Sequence, residues 1–132
     1  MCQLFINADS QLWTCRTKSL RIDGVVTSIR LEEFFWHILA EVAFRDQMSV
    51  NQMITRLYLE SLDADHDIGN FTSFLRVCCS RYLSLVADGD LTRDAHLPLN
   101  EVNAKTVLEQ EQLRTALRKS RFGVDTSKSS IN

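Results

Sequence analysis

One stretch of the sequence places side chains that can form hydrogen bonds in a regular row. Residues 25–31 read Val-Val-Thr-Ser-Ile-Arg-Leu, and in an extended chain successive side chains point to opposite faces. One face carries Val26, Ser28 and Arg30, and the opposite face carries Thr27, Ile29 and Leu31. The first set is small, hydroxylated and basic, and an apolar helical pattern follows the strand directly. A strand of this kind indicates a surface that contacts DNA.

The charge distribution supports this interpretation better than the total charge does. The 132 residues carry a formal net charge of −2, which argues mildly against nucleic-acid binding because phosphate contacts supply most of the affinity. Within residues 10–30 the charged side chains are Arg16, Lys18, Arg21 and Arg30, against Asp23 alone. The acidic side chains gather around residues 60–67 instead. A basic ribbon on an acidic body is compatible with DNA binding.

Other clusters that could support chemistry do not form a complete site. The run Asp63-x-Asp65-x-Asp67 begins like a calcium loop, but that motif needs glycine at position 6 and glutamate at position 12, where this chain has Ile68 and Phe74. The three histidines are not spaced as metal ligands. Four cysteines without a CxxC motif indicate structural thiols in a reducing compartment. We therefore predict no metal, no cofactor and no enzymatic activity.

Composition indicates a single, mostly helical domain. The sequence is 45% hydrophobic, has only one proline and four glycines, and contains long periodic stretches. It has no apolar run of about 18 residues, so no transmembrane helix is expected. The N-terminus lacks the basic start and long apolar core of a signal peptide, and we expect a cytoplasmic protein without membrane contact.

A second alternating run precedes the first. Residues 18–22 alternate, and Asp23-Gly24 follows; this dipeptide between alternating runs is typical of a β-hairpin turn, in which both residues have positive φ. In the alternative interpretation residues 17–22 are a loop and only the second strand pairs. A helix is predicted from Glu32 to about Asp46, with apolar residues on so many sides that we expect it to be buried against a second subunit.

The next helix has a specific start signal. Ser49 and Gln52 have the spacing of a capping box, and Met48 and Met53 have that of a hydrophobic staple. The link from the first helix is very short, so the two helices are expected to form a tight corner. The second helix is predicted to end near Asp63.

The C-terminal half adds further elements. Asn70 is predicted to cap a third helix, and a sparse apolar pattern among many charges predicts a fourth over residues 102–121. Residues 123–132 are polar and expected to be disordered. We divide the chain into an N-terminal segment of uncertain role (1–15), a folded domain (16–87), and a linker, helix and tail (88–132).

This order of strand, helix, tight corner and capped helix resembles the ribbon-helix-helix family of bacterial DNA-binding proteins, over roughly residues 16–83. The matching pieces are Thr17-Lys18-Ser19-Leu20-Arg21, Thr27-Ser28-Ile29-Arg30-Leu31-Glu32, Phe35-Trp36, Leu39, Ala43, Arg45-Asp46, Met48-Ser49, Asn70-Phe71 and Ser73-Phe74-Leu75-Arg76-Val77. The resemblance implies a mainly α fold with a short N-terminal β-ribbon. It would be a ribbon-helix-helix dimer with an added third helix and a C-terminal helical extension.

The resemblance also implies residues that read bases. In this family the strands of two subunits pair antiparallel into a ribbon that enters the major groove, and outward strand residues touch base edges. By that implication Arg30 donates two hydrogen bonds to guanine, Ser28 donates or accepts one, and Val26 touches a thymine methyl. A hairpin strand at 18–22 would compete with the partner's strand for the same edge.

Phosphate contacts are implied at two further places. Lys18 and Arg21 would contact the DNA backbone from the ribbon. The amides of Ser49, Val50 and Asn51, at the start of the second helix, would hold a phosphate because the first amides of a helix lack partners within it.

These expectations describe a sequence-specific transcriptional regulator that binds double-stranded DNA as a homodimer or higher even oligomer. The alternative is an antitoxin-like or other protein-interaction module, in which the dimer is a scaffold and residues 91–132 bind a partner protein.

Overall fold

The computed structural model describes residues 2–67 and 69–123, and a β-hairpin followed by packed helices forms its body. The strands are β1 (Cys15–Ile22) and β2 (Val25–Glu32), and the helices are α1 (Cys2–Ile6), α2 (Glu33–Arg45), α3 (Val50–Asp63), α4 (Phe71–Ala87) and α5 (Ala104–Phe122). Two 3-10 turns lie at Ser10–Trp13 and Leu99–Glu101. The tail predicted to be disordered lies, from residue 124, outside the described residues.

The predicted hairpin is confirmed, and both of its strands belong to one chain. Asp23 and Gly24 have φ values of 51° and 80°, as a two-residue turn with positive φ at both positions requires. The strands pair antiparallel from Ile22–Val25 at the turn to Cys15–Glu32 at the open end. Pairing of β2 with a second subunit's strand stays a prediction, because β1 covers only one edge of β2. A turn of two residues closes locally at small entropic cost, and its strand occupies one edge of β2.

The hydrophobic core lies between the inner face of the hairpin and three helices. Its buried residues are Leu20, Ile22, Ile29 and Leu31 from the hairpin, Trp36, Ile38, Leu39 and Ala43 from α2, Met53 and Ile54 from α3, and Leu75, Cys79 and Tyr82 from α4. The indole of Trp36 donates to the Arg16 carbonyl at 2.9 Å, which ties α2 to β1. Most of the broad apolar surface of α2 is thus covered within the chain, although Phe44 remains 60% exposed. Contacts within the chain thus account for most of the breadth of this helix, and its burial against a second subunit stays a prediction.

The predicted capping box at the start of α3 is confirmed. The Ser49 hydroxyl accepts from the Gln52 amide at 3.1 Å, and the Gln52 side chain accepts from the Ser49 amide at 2.9 Å. The link from α2 turns sharply at Gln47, whose φ is 57°. Met48 donates its amide to the Ala43 carbonyl at 2.9 Å, and this bond closes the tight corner between the two helices.

A strap, residues 88–103, follows α4 and is fastened to the helices. The guanidinium of Arg45, which is only 4% exposed, donates to the carbonyls of Thr92 and Leu97 at 2.7 and 2.9 Å. The Asp46 carboxylate accepts from the amides of Leu99 and Asn100 at 2.7 and 3.1 Å. The irregular linker expected here is therefore part of the folded body.

Helix α5 is attached differently, since none of its residues is buried. Glu111 pairs with Arg81 of α4 at 2.6 Å, and Arg114 and Arg118 pair with Asp90 and Asp88 of the strap. The arginines of these pairs are 32–50% exposed, and ion pairs near the surface contribute little each and weaken with salt.

We predict that Ser49→Ala lowers the free energy of unfolding by about 1 kcal/mol, because the Gln52 amide loses its acceptor at the helix end. Urea unfolding followed by circular dichroism measures this change. Ser80→Ala, in the exposed middle of α4, is the matched control and should be neutral or slightly stabilising because alanine favours helix. Equal losses in both variants would contradict the capping role.

We predict that Arg45→Lys lowers the free energy of unfolding by about 2 kcal/mol, because one ammonium cannot replace the forked donors that hold two strap carbonyls. The same variant should be cleaved faster by a protease within residues 91–99. Arg56→Lys, at an exposed position of α3, is the control. Unchanged stability and unchanged cleavage would show that the strap is held without Arg45.

Candidate nucleic-acid interface

The outer side of the hairpin forms a regular polar surface, here named the ribbon face. Its six exposed residues alternate with the buried ones along each strand and lie opposite each other in three pairs. The pairs are Thr17–Arg30, Ser19–Ser28 and Arg21–Val26. The predicted division of both strands into an inner apolar face and an outer polar face is confirmed. Thr17 and Ser19 were not among the predicted DNA contacts, and the full register of the hairpin is the signal that adds them to this surface.

The hydrogen-bond pattern of the hairpin adds backbone groups to this surface. Glu33 donates its amide to the Thr14 carbonyl at 2.9 Å, one step beyond the Cys15–Glu32 pair. Hydrogen-bonded and non-hydrogen-bonded pairs alternate along an antiparallel ladder, so the three pairs of the ribbon face are non-hydrogen-bonded. Their N–H and C=O groups point outward along the two free edges of the hairpin. In the described chain the sheet has two strands, and neither outer edge is paired.

The ribbon face is positively charged and rich in hydrogen-bond donors. Arg21 and Arg30 stand at opposite ends of it, and it carries no carboxylate. The hydroxyl oxygens of Ser19 and Ser28 lie 3.5 Å apart at its centre. Arg21 and Arg30 form no ion pair among the described residues, so their guanidinium groups are available to an anionic partner or a base edge.

Lys18 lies on the other side of the hairpin. It shares the inner face with Leu20 and Ile22, and its ammonium is 5.4 Å from the ring centre of Trp36. Arg16, beside it, lies 5.6 Å from the same ring and donates to the Glu33 carboxylate at 2.6 Å. The structure thus separates Lys18 from the ribbon face, although the sequence grouped it with Arg21.

The base of the ribbon is braced by an ion pair between β2 and α4. Arg76 donates through Nε and Nη2 to the two carboxylate oxygens of Glu32, at 2.9 and 2.8 Å. These hydrogen bonds lower the pKa of Glu32 below its ordinary value and raise that of Arg76. Glu32 is the residue where the strand becomes a helix, so the pair fixes the direction in which the ribbon leaves the body.

The start of α3 offers a second group of donors. The Ser49 amide is already bound by the Gln52 side chain, so it is not free for a phosphate. Among the hydrogen bonds of the described residues, the amides of Val50 and Asn51 have no acceptor within the chain. Asn51 is exposed and Val50 is half-buried. Two of the three predicted amides can therefore bind an anion at the positive end of the helix dipole.

Within residues 2–67 and 69–123 no group of three side chains is placed to hold a metal ion. No helix in the same part of the chain is long and apolar enough to cross a membrane.

Comparison with known proteins adds an independent result. A model of the ribbon-helix-helix domain matches residues 15–83, which is more than half of the chain. A similar solved structure is that of an uncharacterized protein from Bordetella pertussis Tohama I, with 47% sequence identity and a TM-score of 0.79. The similarity covers 82% of this chain and 86% of that protein. No curated protein matches the sequence. The chain is a member of the ribbon-helix-helix domain family.

Proposed function

We propose that this protein is a sequence-specific regulator of transcription in a bacterial cytoplasm that binds double-stranded DNA with the ribbon face. The observation that carries the proposal is the row of donors formed by Ser28, Arg30 and their opposite residues, with two cations free of carboxylate partners. Arg30 is proposed to donate to guanine, Ser28 to a base edge, and Val26 to contact a thymine methyl. Arg21 is proposed to bind a phosphate.

The hairpin of one chain already has the dimensions of a DNA-reading element. The major groove is about 12 Å wide and admits a two-stranded ribbon. Four strands joined edge to edge, about 4.8 Å apart, would span about 14 Å before their side chains are added. We therefore propose that each hairpin enters a groove by itself. The Val50 and Asn51 amides of α3 are proposed to hold a backbone phosphate, while Lys18 acts mainly by packing on Trp36.

A dimer then needs a contact surface away from the ribbon face. Tyr58, Phe71 and Phe74 form an aromatic row across α3 and α4, with ring centres 5.3 and 5.5 Å apart. Beside this row Leu62 and Val77 are 45% and 54% exposed. Contiguous exposed apolar side chains favour protein association. We propose that two copies meet here and present their hairpins to two half-sites, spaced about one helical turn of DNA apart.

The second candidate function is the protein-interaction module, and one observation favours it. Leu113 and Leu117 of α5 are 60% and 69% exposed, on a helix that ion pairs fasten to the body. Such a helix can exchange its attachment for a partner protein at low cost. In this version residues 91–132 are proposed to bind the partner.

Two experiments test the DNA proposal. The duplexes that the protein binds are selected from a random pool, and the affinity for the selected sequence is then measured at two ionic strengths. We predict that Arg30→Ala weakens binding to the selected duplex by about 1–3 kcal/mol, because a bidentate donor to a base is lost. Arg121→Ala removes the same charge from the end of α5 and is the matched control. Affinity should also fall steeply with salt.

Three outcomes separate the candidates. Equal losses in the two arginine variants would remove Arg30 from the base-reading residues and leave only a charge effect. An affinity that does not depend on salt would argue against phosphate contact. The absence of any binding at low salt would exclude the DNA proposal and favour the interaction module.

We predict that Phe74→Glu shifts the molar mass measured by light scattering toward that of one chain, because a charge would be buried in the dimer contact. Phe44→Glu places the same charge on another exposed phenylalanine, in α2, and should leave the mass unchanged. A wild-type protein that has the mass of one chain at its highest soluble concentration would contradict the dimer.

A further inference from the structure

The helices and the strap line an apolar cavity of about 170 Å³ that is partly open to solvent and that the ribbon face does not use. Its walls come from α2, α3 and α4, and Leu91 and Leu99 of the strap complete them. In an engineered protein an apolar cavity of about 150 Å³ stays dry and binds benzene or xenon. A cavity of this volume is therefore large enough for a small molecule.

The polar groups at the cavity already have partners inside the protein. The Cys79 thiol donates to the Phe35 carbonyl at 3.7 Å, and the Tyr82 hydroxyl donates to the Glu41 carboxylate at 2.6 Å. Arg81 forms two hydrogen bonds with Glu111, at 2.8 and 2.6 Å. No fully buried side-chain nitrogen or oxygen lacks a partner among the described residues. The polar groups around the cavity are thus mostly engaged, which favours an uncharged occupant.

Sulfur-containing side chains of α3 and α4 line the cavity. Met53, Cys78 and Cys79 all line it. Sulfur makes favourable contacts with aromatic rings, and a planar ring also suits a narrow space between helices. Burial raises the pKa of Cys79 to about 12, so this thiol stays neutral and is a poor nucleophile at ordinary pH. An aromatic occupant would therefore be held by contact and not by a covalent bond.

We propose that this cavity binds a small, uncharged aromatic molecule of about the size of benzene or toluene. The ligand lies between the helices and the strap, and contacts Leu91 and Leu99 from inside. Its binding stabilises the strap as well as the helices, because both lose contacts when the cavity is empty. The site does not involve the ribbon face, so the proposal of ligand binding does not depend on the proposal of DNA binding.

Toluene is the probe, and the full chain is the sample. Saturable binding is measured by isothermal titration calorimetry, and the melting temperature is measured with and without toluene. We expect toluene to raise the melting temperature and to slow hydrogen exchange of the Leu99 and Asn100 amides in the strap. Dissolved xenon, followed through its own NMR signal, should bind the same space.

Variants that fill the cavity from two different walls locate the site. Val42→Phe on α2 and Cys78→Phe on α4 should each weaken toluene binding by about tenfold or more. Each should melt at or above the wild-type temperature without ligand, because the new ring occupies empty space. Ser80→Phe, at an exposed position of α4 that lines neither the cavity nor the proposed dimer contact, is the control and should leave binding unchanged.

Two results would overturn the proposal. One is the absence of saturable binding of both toluene and xenon to the wild-type chain, a result that does not depend on how any variant folds. The other is binding that both filling variants retain, since the ligand would then lie elsewhere.

Discussion

The pairing register of β1 and β2 is the constraint on which the rest of the structure depends. Side chains alternate along a strand, so a slip of one residue would move Leu20 and Ile22 to the solvent and bring Ser19 and Arg21 into the core. The turn at Asp23-Gly24 and the burial of the inner face select the same register. The ribbon face follows from this register, because the residues that alternate with the buried ones along each strand point to the solvent.

A second constraint is the polar network around Arg45. Among the described residues no carboxylate pairs with this buried guanidinium, which donates to two strap carbonyls and to the Tyr82 hydroxyl. Tyr82 donates in turn to Glu41, which Arg93 of the strap also binds. Burial and the Glu41 hydrogen bond raise the pKa of Tyr82, so the phenol remains a donor. The network holds the strap over the helices, where Leu91 and Leu99 form one wall of the apolar cavity.

The distribution of ion pairs explains how an acidic chain presents a basic surface. Arg16, Arg76, Arg81 and Arg93 are each engaged by a glutamate, namely Glu33, Glu32, Glu111 and Glu41. Each pair joins two elements of the body, and within each pair the positive and negative charges offset each other. Within the described residues the cations of the ribbon face have no such partner, so the local field there is positive despite the total charge. The total charge is thus a poor guide to what this surface can bind.

Local chemistry in the sequence was enough to predict several elements. The Asp-Gly turn, the alternation of both strands and the capping box at Ser49 each depend on residues close together in the chain, and the structure contains all three. The resemblance to the ribbon-helix-helix family rested on the same local pieces, and the family match supports it.

Tertiary structure decided what depends on distant residues. Three long-range contacts have no local signal in the sequence. Helix α4 and the hairpin cover α2 within one chain, and Lys18 packs on Trp36. Arg45 binds a strap about fifty positions away along the chain. The cavity is also of this kind, because an unfilled volume is a property of how several helices pack together. The sequence by itself determined where the turns, caps and alternating faces lie, since those are set by backbone conformation and short-range hydrogen bonds. Only the folded structure decided which faces cover each other, since burial is shared among segments that the sequence keeps apart.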